Sequence, residues 1–125
     1  MMPMASALVD LTTMKNLAAY IGSMPIKTSS KTLFGDLSEG QALYDKNCSV
    51  CHGGNGAGVW SVHAPRIGGM DDWYLARQLR NFRDKVRGSH PDDDLGHQMA
   101  LMVSVLEDDQ AIEDVASYIS SLNVN

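Results

Sequence analysis

The chain has 125 residues, of which 44% are hydrophobic, 20% charged and only 6% aromatic, with 8 methionines and 2 cysteines. This suffices for one compact domain and hardly for two, and the mix is that of a globular chain rather than a disordered one. No apolar run nears the roughly 20 residues that cross a bilayer, and a net charge of −5 argues against a protein whose main partner is nucleic acid.

The first ten residues lack the basic stretch and the long apolar core of a secretory leader. They open a repeat instead. Laid over residues 99–122 at an offset of 98, residues 1–24 give nine identities in 24 positions, among them Met1/Met99, Met4/Met102, Asp10/Asp108, Ala18/Ala116, Tyr20/Tyr118 and Ile21/Ile119. Residues 1–25 therefore read as the last helix of an upstream domain homologous to residues 37–125. The polar stretch 26–36, with Lys27-Thr28-Ser29-Ser30-Lys31, reads as a linker. Charge changes there too, from +2 over residues 1–35 to −7 over residues 36–125. The apolar face Leu11, Met14, Leu17, Ala18 and Ile21 would be an associating patch if bare. It is expected to pack on its own domain or on a neighbouring copy, giving self-association through the N-terminal helix.

Ser38 is a candidate N-cap, with Glu39 in the first turn, for a short helix through Ala42, Leu43 and Tyr44 that runs into Cys48. Cys48-Ser49-Val50-Cys51-His52 is C-x-x-C-H, the attachment sequence for c-type haem. Two thiols one helical turn apart can each form a thioether to a vinyl position on one porphyrin edge, and the next residue, His52, then lies under the ring. A tethered macrocycle would also supply core to a domain short of aromatics. A thioredoxin-like pair would need a βαβ setting, and a zinc site would need four ligands; neither pattern is present. Residues 53–58, Gly-Gly-Asn-Gly-Ala-Gly, form a loop, and 65–69 another turn-rich one.

Asp71 or Asp72 is expected to cap a second helix that buries Leu75, Leu79 and Phe82 at i, i+4 and i+7. Arg77, Arg80 and Arg83 lie off that stripe. Residues 88–96, with Pro91 and Asp92-Asp93-Asp94, read as a loop, and the last helix runs from Asp108 or Asp109 to about Leu122, with Ile112, Val115, Ala116 and Ile119 inward. No segment reads as a strand, so the expected class is all-α.

In this order these residues resemble a class I cytochrome c domain of the bacterial dihaem type, in which two such domains follow one another. The likeness spans residues 37–125. It rests on Gly40 and Tyr44, the C-x-x-C-H motif, Pro65-Arg66-Ile67-Gly68-Gly69, Trp73-Tyr74-Leu75 with Gln78-Leu79, Arg87-Gly88, Met99 seven residues before Leu106, and the tail Ala116-Ser117-Tyr118-Ile119. The resemblance implies helices wrapped around one covalently attached haem c, with an extra N-terminal helix here. It implies that first and last helices cross through Gly40 and Tyr44 against Tyr118, and that the Pro65 carbonyl accepts the N–H of the proximal imidazole.

For the second axial position Met99, Met102, His90 and His97 all qualify by place in the chain, and the resemblance selects Met99. A thioether favours ferrous iron relative to imidazole and raises the potential. The metal ligands are thus expected to be His52 and Met99. Trp73, Tyr74, Arg80 and Arg83 are candidates for the haem propionates. The basic run at 77–87 and the acidic groups at 92–94 and 107–109 give a charge-segregated surface. No other group resembles a catalytic constellation, so the expected function is electron transfer between redox partner proteins rather than enzyme catalysis. The alternatives are a haem enzyme or gas sensor with an open distal site, where His97 is the one acid–base candidate, and an electron-delivery module of a larger enzyme. The family implies a periplasmic or other extracytoplasmic compartment.

Overall fold

Six α-helices and one 3-10 turn make up the computed structural model, which describes residues 10–25 and 31–123. They are α1 (Leu11–Ser23), α2 (Leu37–Asn47), α3 (Ser49–His52), the turn Trp60–Val62, α4 (Asp72–Arg83), α5 (Asp94–Val103) and α6 (Asp109–Ser121). Among the described residues the only β pairing is an isolated antiparallel bridge between Val59 and Ala64. The all-α expectation holds, and no helix among the described residues is long and apolar enough to cross a membrane.

The core lies where α2 and α4 pack on α6. Leu75, Leu79 and Phe82 form the buried stripe of α4, and Ile112, Val115, Ala116 and Ile119 that of α6, as their spacing predicts. Helices α2 and α6 cross at Gly40, where a Cβ would overlap the carbonyl oxygen of Asp114 and stand 2.9 Å from the Cβ of Tyr118. One turn further along, the rings of Tyr44 and Tyr118 meet with centroids 5.6 Å apart.

Two helix starts differ from expectation. The N-cap of α2 is Asp36, not Ser38: its carboxylate accepts from the N–H groups of both Ser38 (2.8 Å) and Glu39 (3.2 Å). The segment 88–96 is a loop only in part, because α5 begins at Asp94. Asp93 caps it by accepting from Gly96 N–H at 2.8 Å, so the acidic triplet starts a helix rather than filling a turn. Met99 and Met102 consequently lie on a helix.

Residues 32–36 are bound to the domain. The Asp72 carboxylate accepts from Thr32 N–H (2.7 Å), the Thr32 hydroxyl (2.6 Å), Leu33 N–H (2.8 Å) and Trp73 N–H (2.7 Å). Asp36 N–H donates to Asp114 at 2.8 Å, and Gly35 N–H to Ser117 Oγ at 3.2 Å. Burial pushes the Asp72 carboxyl up, but the Thr32 hydroxyl and the three backbone donors outweigh it and hold the group below the ordinary carboxylate range. A pKa lowered by folding adds stability above the unfolded value of about 3.9 that disappears as pH falls through the folded one. Asp72→Asn is therefore expected to cost about 1–3 kcal/mol at pH 7, with the deficit shrinking below about pH 4. Denaturant unfolding of both proteins at pH 7 and pH 3 measures it.

Helix α1 reproduces α6 at the offset of 98 in its ends as well as its residues. Asp10 caps α1 through Thr13 N–H at 2.8 Å, and Asp108 caps α6 through Ala111 N–H at 2.8 Å. The Ser23 and Ser121 hydroxyls donate to the carbonyls of Tyr20 and Tyr118 at 2.7 and 2.6 Å. Both helices have 13 residues and end on extended backbone, at Met24 and Leu122. The pairs that fall on residues 1–9 and the linker positions 26–30 lie outside the described residues. Where α6 buries six of its 13 residues, α1 buries none, so the expected packing of α1 on its own domain is not what the structure holds.

Candidate functional site

Cys48 closes α2 by donating its N–H to Tyr44 O at 2.8 Å, and it also caps the single turn of α3. Cys51 and His52 return N–H bonds to the Cys48 carbonyl at 3.2 and 2.9 Å. The two thiols therefore sit one turn apart and both are free. His52 is 7% exposed, with Nδ1 2.9 Å from the Pro65 carbonyl oxygen. A carbonyl only accepts, so Nδ1 carries the proton and Nε2 keeps its lone pair for a metal. The Pro65 carbonyl thus lies within hydrogen-bond reach of the imidazole.

The glycine run brings His52 and Pro65 together. Gly58 N–H donates to His52 O at 2.8 Å. Gly58 has φ +85°, and a Cβ there would come within 2.7 Å of Ala64 O and Arg66 N. Ile67 and Gly68 both donate to Gly56 O, at 2.8 and 2.9 Å, and Gly69 donates to Ile119 O at 3.0 Å, which ties this loop to α6. The Tyr44 hydroxyl donates to Gly53 O. Burial pushes that phenol up to about 12, so it remains a donor at any ordinary pH. The anchoring of this loop by Tyr44 has no signal in the sequence beyond the density of glycines.

On α5, Met99 shares a face with the buried Gly96 and Val103 and packs, half-buried, against the core. His97 lies on the other side, where it lines a groove of about 500 Å³ with Phe82, Arg83, Ala100 and Leu101. His90 is exposed, 3.8 Å from Asp92. Met102 is exposed. Trp73 and Tyr74 open α4, edge to face with centroids 5.9 Å apart, and both are partly exposed. Arg80 bonds Glu113 at 3.0 Å and Asp109 at 3.4 Å, and Arg83 bonds Asp109 at 2.7 Å. The basic and acidic patches seen in the sequence thus partly neutralise each other across the α4–α6 seam.

The donor set fits one cofactor. Burial pushes the Cys48 thiol up to about 11, the reverse of the lowered pKa that activates a dithiol oxidoreductase. Among the described residues no three His, Cys, Asp or Glu side chains converge to hold an ion by themselves. Two free thiols beside a pre-oriented imidazole, with a thioether on a separate helix, suit an iron already held by a porphyrin.

Residues 37–123 match the family model for Cytochrome c. The chain is a cytochrome c. Cytochrome c4 of Pseudomonas aeruginosa is 27% identical over 118 residues, covering 86% of this chain and 55% of that protein. The protein named thiosulfate dehydrogenase electron acceptor in Stutzerimonas stutzeri is 29% identical over 132 residues, covering 98% of this chain and 58% of that one. The structure of Acidithiobacillus ferrooxidans cytochrome c4 superposes with a TM-score of 0.67 at 29% identity, over 98% of this chain and 70% of that one. The chain thus spans between half and two thirds of the length of these curated relatives. Cytochrome c4 is dihaem, each half a class I cytochrome c domain, and the present fold is that of one such half. As a cytochrome c, the chain has haem c as its cofactor, attached through Cys48 and Cys51 with His52 beside them.

Proposed function

We propose that this cytochrome c is a single-electron carrier between redox proteins, with His52 and Met99 as the axial ligands. Haem c supplies a one-electron couple when bound. The observation that carries the reading is the 2.9 Å contact of His52 Nδ1 with Pro65 O, which leaves Nε2 as the free donor next to two attachment thiols. The Pro65 bond fixes the tautomer and orientation of the ring. Met99 is the soft donor on the inward face of α5, whereas His97 is directed to the groove against α4 and His90 to solvent. Trp73 and Tyr74, at the head of α4, are the side chains we place beside the cofactor; Arg80, bound to Glu113 and Asp109, we assign to the α4–α6 seam.

The equal caps, lengths and register of α1 and α6 support reading residues 1–25 as the last helix of a preceding cytochrome-like unit, joined by residues 26–36 to the domain 37–125. The uncovered apolar face of α1 would then take another unit of the same kind, including a second copy. Haem attachment of this type supports a site of action outside the cytoplasm, in a periplasmic or equivalent compartment. By likeness to the relative named for its donor, the electron source is a dehydrogenase.

One visible spectrum of the matured protein, oxidised, reduced and treated with carbon monoxide, tests the function together with acid–acetone extraction. Pigment that resists extraction and a reduced form that ignores carbon monoxide are the expected results. Extractable colour would remove the thioethers, and ready carbon monoxide binding would make the distal side a reaction site.

A further inference from the structure

Asn55 is the one asparagine of this chain that precedes a glycine. Asn16, Asn47 and Asn81 are helical and precede Leu17, Cys48 and Phe82, whose side chains crowd the next peptide nitrogen. Asparagine is among the chemically labile residues of proteins, and its side-chain amide is open to attack where the following residue has no Cβ. The fold leaves no choice of that neighbour. Gly56 is buried at φ +72°, and a Cβ there would stand 2.7 Å from both the N and the Cα of Gly68.

The turn both primes and restrains this pair. Asn55 is exposed, and its Oδ1 accepts the Ala57 N–H at 3.1 Å, which folds the carboxamide forward over the Gly56 peptide. The same bond stabilises negative charge that builds on that oxygen under attack. The attacking nitrogen, however, is engaged: Gly56 N–H donates to Gly53 O at 3.1 Å. The Tyr44 hydroxyl donates to that same carbonyl. Gly56 N–H also opposes the burial that raises the Tyr44 phenol, so phenol, carbonyl and N–H form one cluster. On its other side Gly56 is held through its carbonyl, which takes the N–H groups of Ile67 and Gly68.

We propose that Asn55 is a self-modifying site, converted to aspartate and isoaspartate at a rate set by the hold of Tyr44 on Gly53. When the turn opens, solvent base removes the Gly56 N–H proton and the nitrogen attacks Asn55 Cγ. The bond from Cγ to the side-chain nitrogen breaks, ammonia leaves after taking a proton from solvent, and a succinimide ring remains. Water opens that ring at either carbonyl. One opening restores the peptide with an aspartate side chain; the other gives isoaspartate, with the main chain longer by one methylene carbon. No electron is exchanged, and water is the only co-reactant. Either product puts a carboxylate into the stretch between Lys46 and Arg66, which otherwise holds none. Isoaspartate also lengthens the loop between its anchors at Gly53 and Gly56.

The matured protein, held in neutral buffer and sampled over weeks, tests this by peptide mass analysis and by enzymatic detection of isoaspartate. The expected result is the mass change of amide to acid, confined to the segment that carries Asn55, with one further negative charge in isoelectric focusing. Asn55→Ser keeps a hydroxyl acceptor for the Ala57 N–H but cannot cyclise, and should acquire neither. Tyr44→Phe should speed the conversion about threefold or more and raise the hydrogen-exchange rate of the Gly56 N–H by a like factor. Asp72→Asn is the control for stability alone, since it loosens the domain away from this turn, and should leave the rate unaltered. Conversion that begins at Asn16, Asn47 or Asn81, or no conversion, overturns the site. Equal acceleration in Tyr44→Phe and Asp72→Asn overturns the role of Tyr44, because global unfolding would then set the rate.

Discussion

Met99→Ala is expected to abolish the sulfur-to-iron charge-transfer band at the red end of the oxidised spectrum. It is also expected to lower the reduction potential by something on the order of 0.1 V or more, within the ~0.8 V that axial ligands span. The physical reason is the preference of a thioether for ferrous iron, which the variant loses. Because Met99 also packs against the core, the truncation costs about 2–5 kcal/mol of stability, and loss of the band by itself could reflect loosening of α5. Two further variants separate these effects. Met99→His retains a side chain and a ligand but no sulfur, and should lose the band while staying six-coordinate. Met102→Ala, at an exposed position on the same helix, should keep the band. A band that survives in Met99→Ala and vanishes in Met102→Ala would move the assignment by one turn.

Gly40→Ala should lower stability by about 3 kcal/mol or more, at the upper end of what overpacking costs. In melting temperature that is roughly 10 to 20 °C for a domain of this size. Alanine is otherwise the better helix former, by about 1 kcal/mol, so propensity alone predicts the opposite sign. Sterics decide. The new methyl would overlap the Asp114 carbonyl oxygen and press on Tyr118 Cβ, and both belong to the backbone or its first side-chain carbon, which cannot swing away. The helices must separate, which also parts Tyr44 from Tyr118 and loosens the hold of the Tyr44 hydroxyl on the loop after His52. Gly22→Ala is the control, since a Cβ there meets nothing within 4 Å; it should be neutral or slightly stabilising. Thermal melts of the three proteins give the comparison, and equal melting temperatures for Gly40→Ala and wild type would mean that the crossing can slide.

Most of the helical frame was legible in the sequence because it is written in local signals. The stripes Leu75/Leu79/Phe82 and Ile112/Val115/Ala116/Ile119 repeat at helical spacing, and Asp108 stands one residue before the helix it caps. Helix α5 was not legible. Pro91, three aspartates and Gly96 look like turn residues, and only the bond from Gly96 N–H to Asp93 shows that they begin a helix. The ligand-bearing motif was fully visible, since its five residues are contiguous. The long-range polar ties were not, because those partners are far apart in sequence. Asp72 reaches back 40 residues to Thr32, and Arg80 reaches 33 forward to Glu113. A reading by periodicity sees the arginines as a solvated face; the fold brings acids to them.

The crossing of α2 and α6 has a consequence for assembly. It is a clasp between the two extremities of the domain, and Cys48, Cys51, His52 and Met99 all hang in the span that it closes. Joining such distant stretches is entropically costly and slow, and it must wait until α6 has been synthesised. Until that clasp closes the thiols stand on an open ribbon, accessible to whatever machinery installs the pigment, and only the docking of the last helix against Gly40 completes the domain.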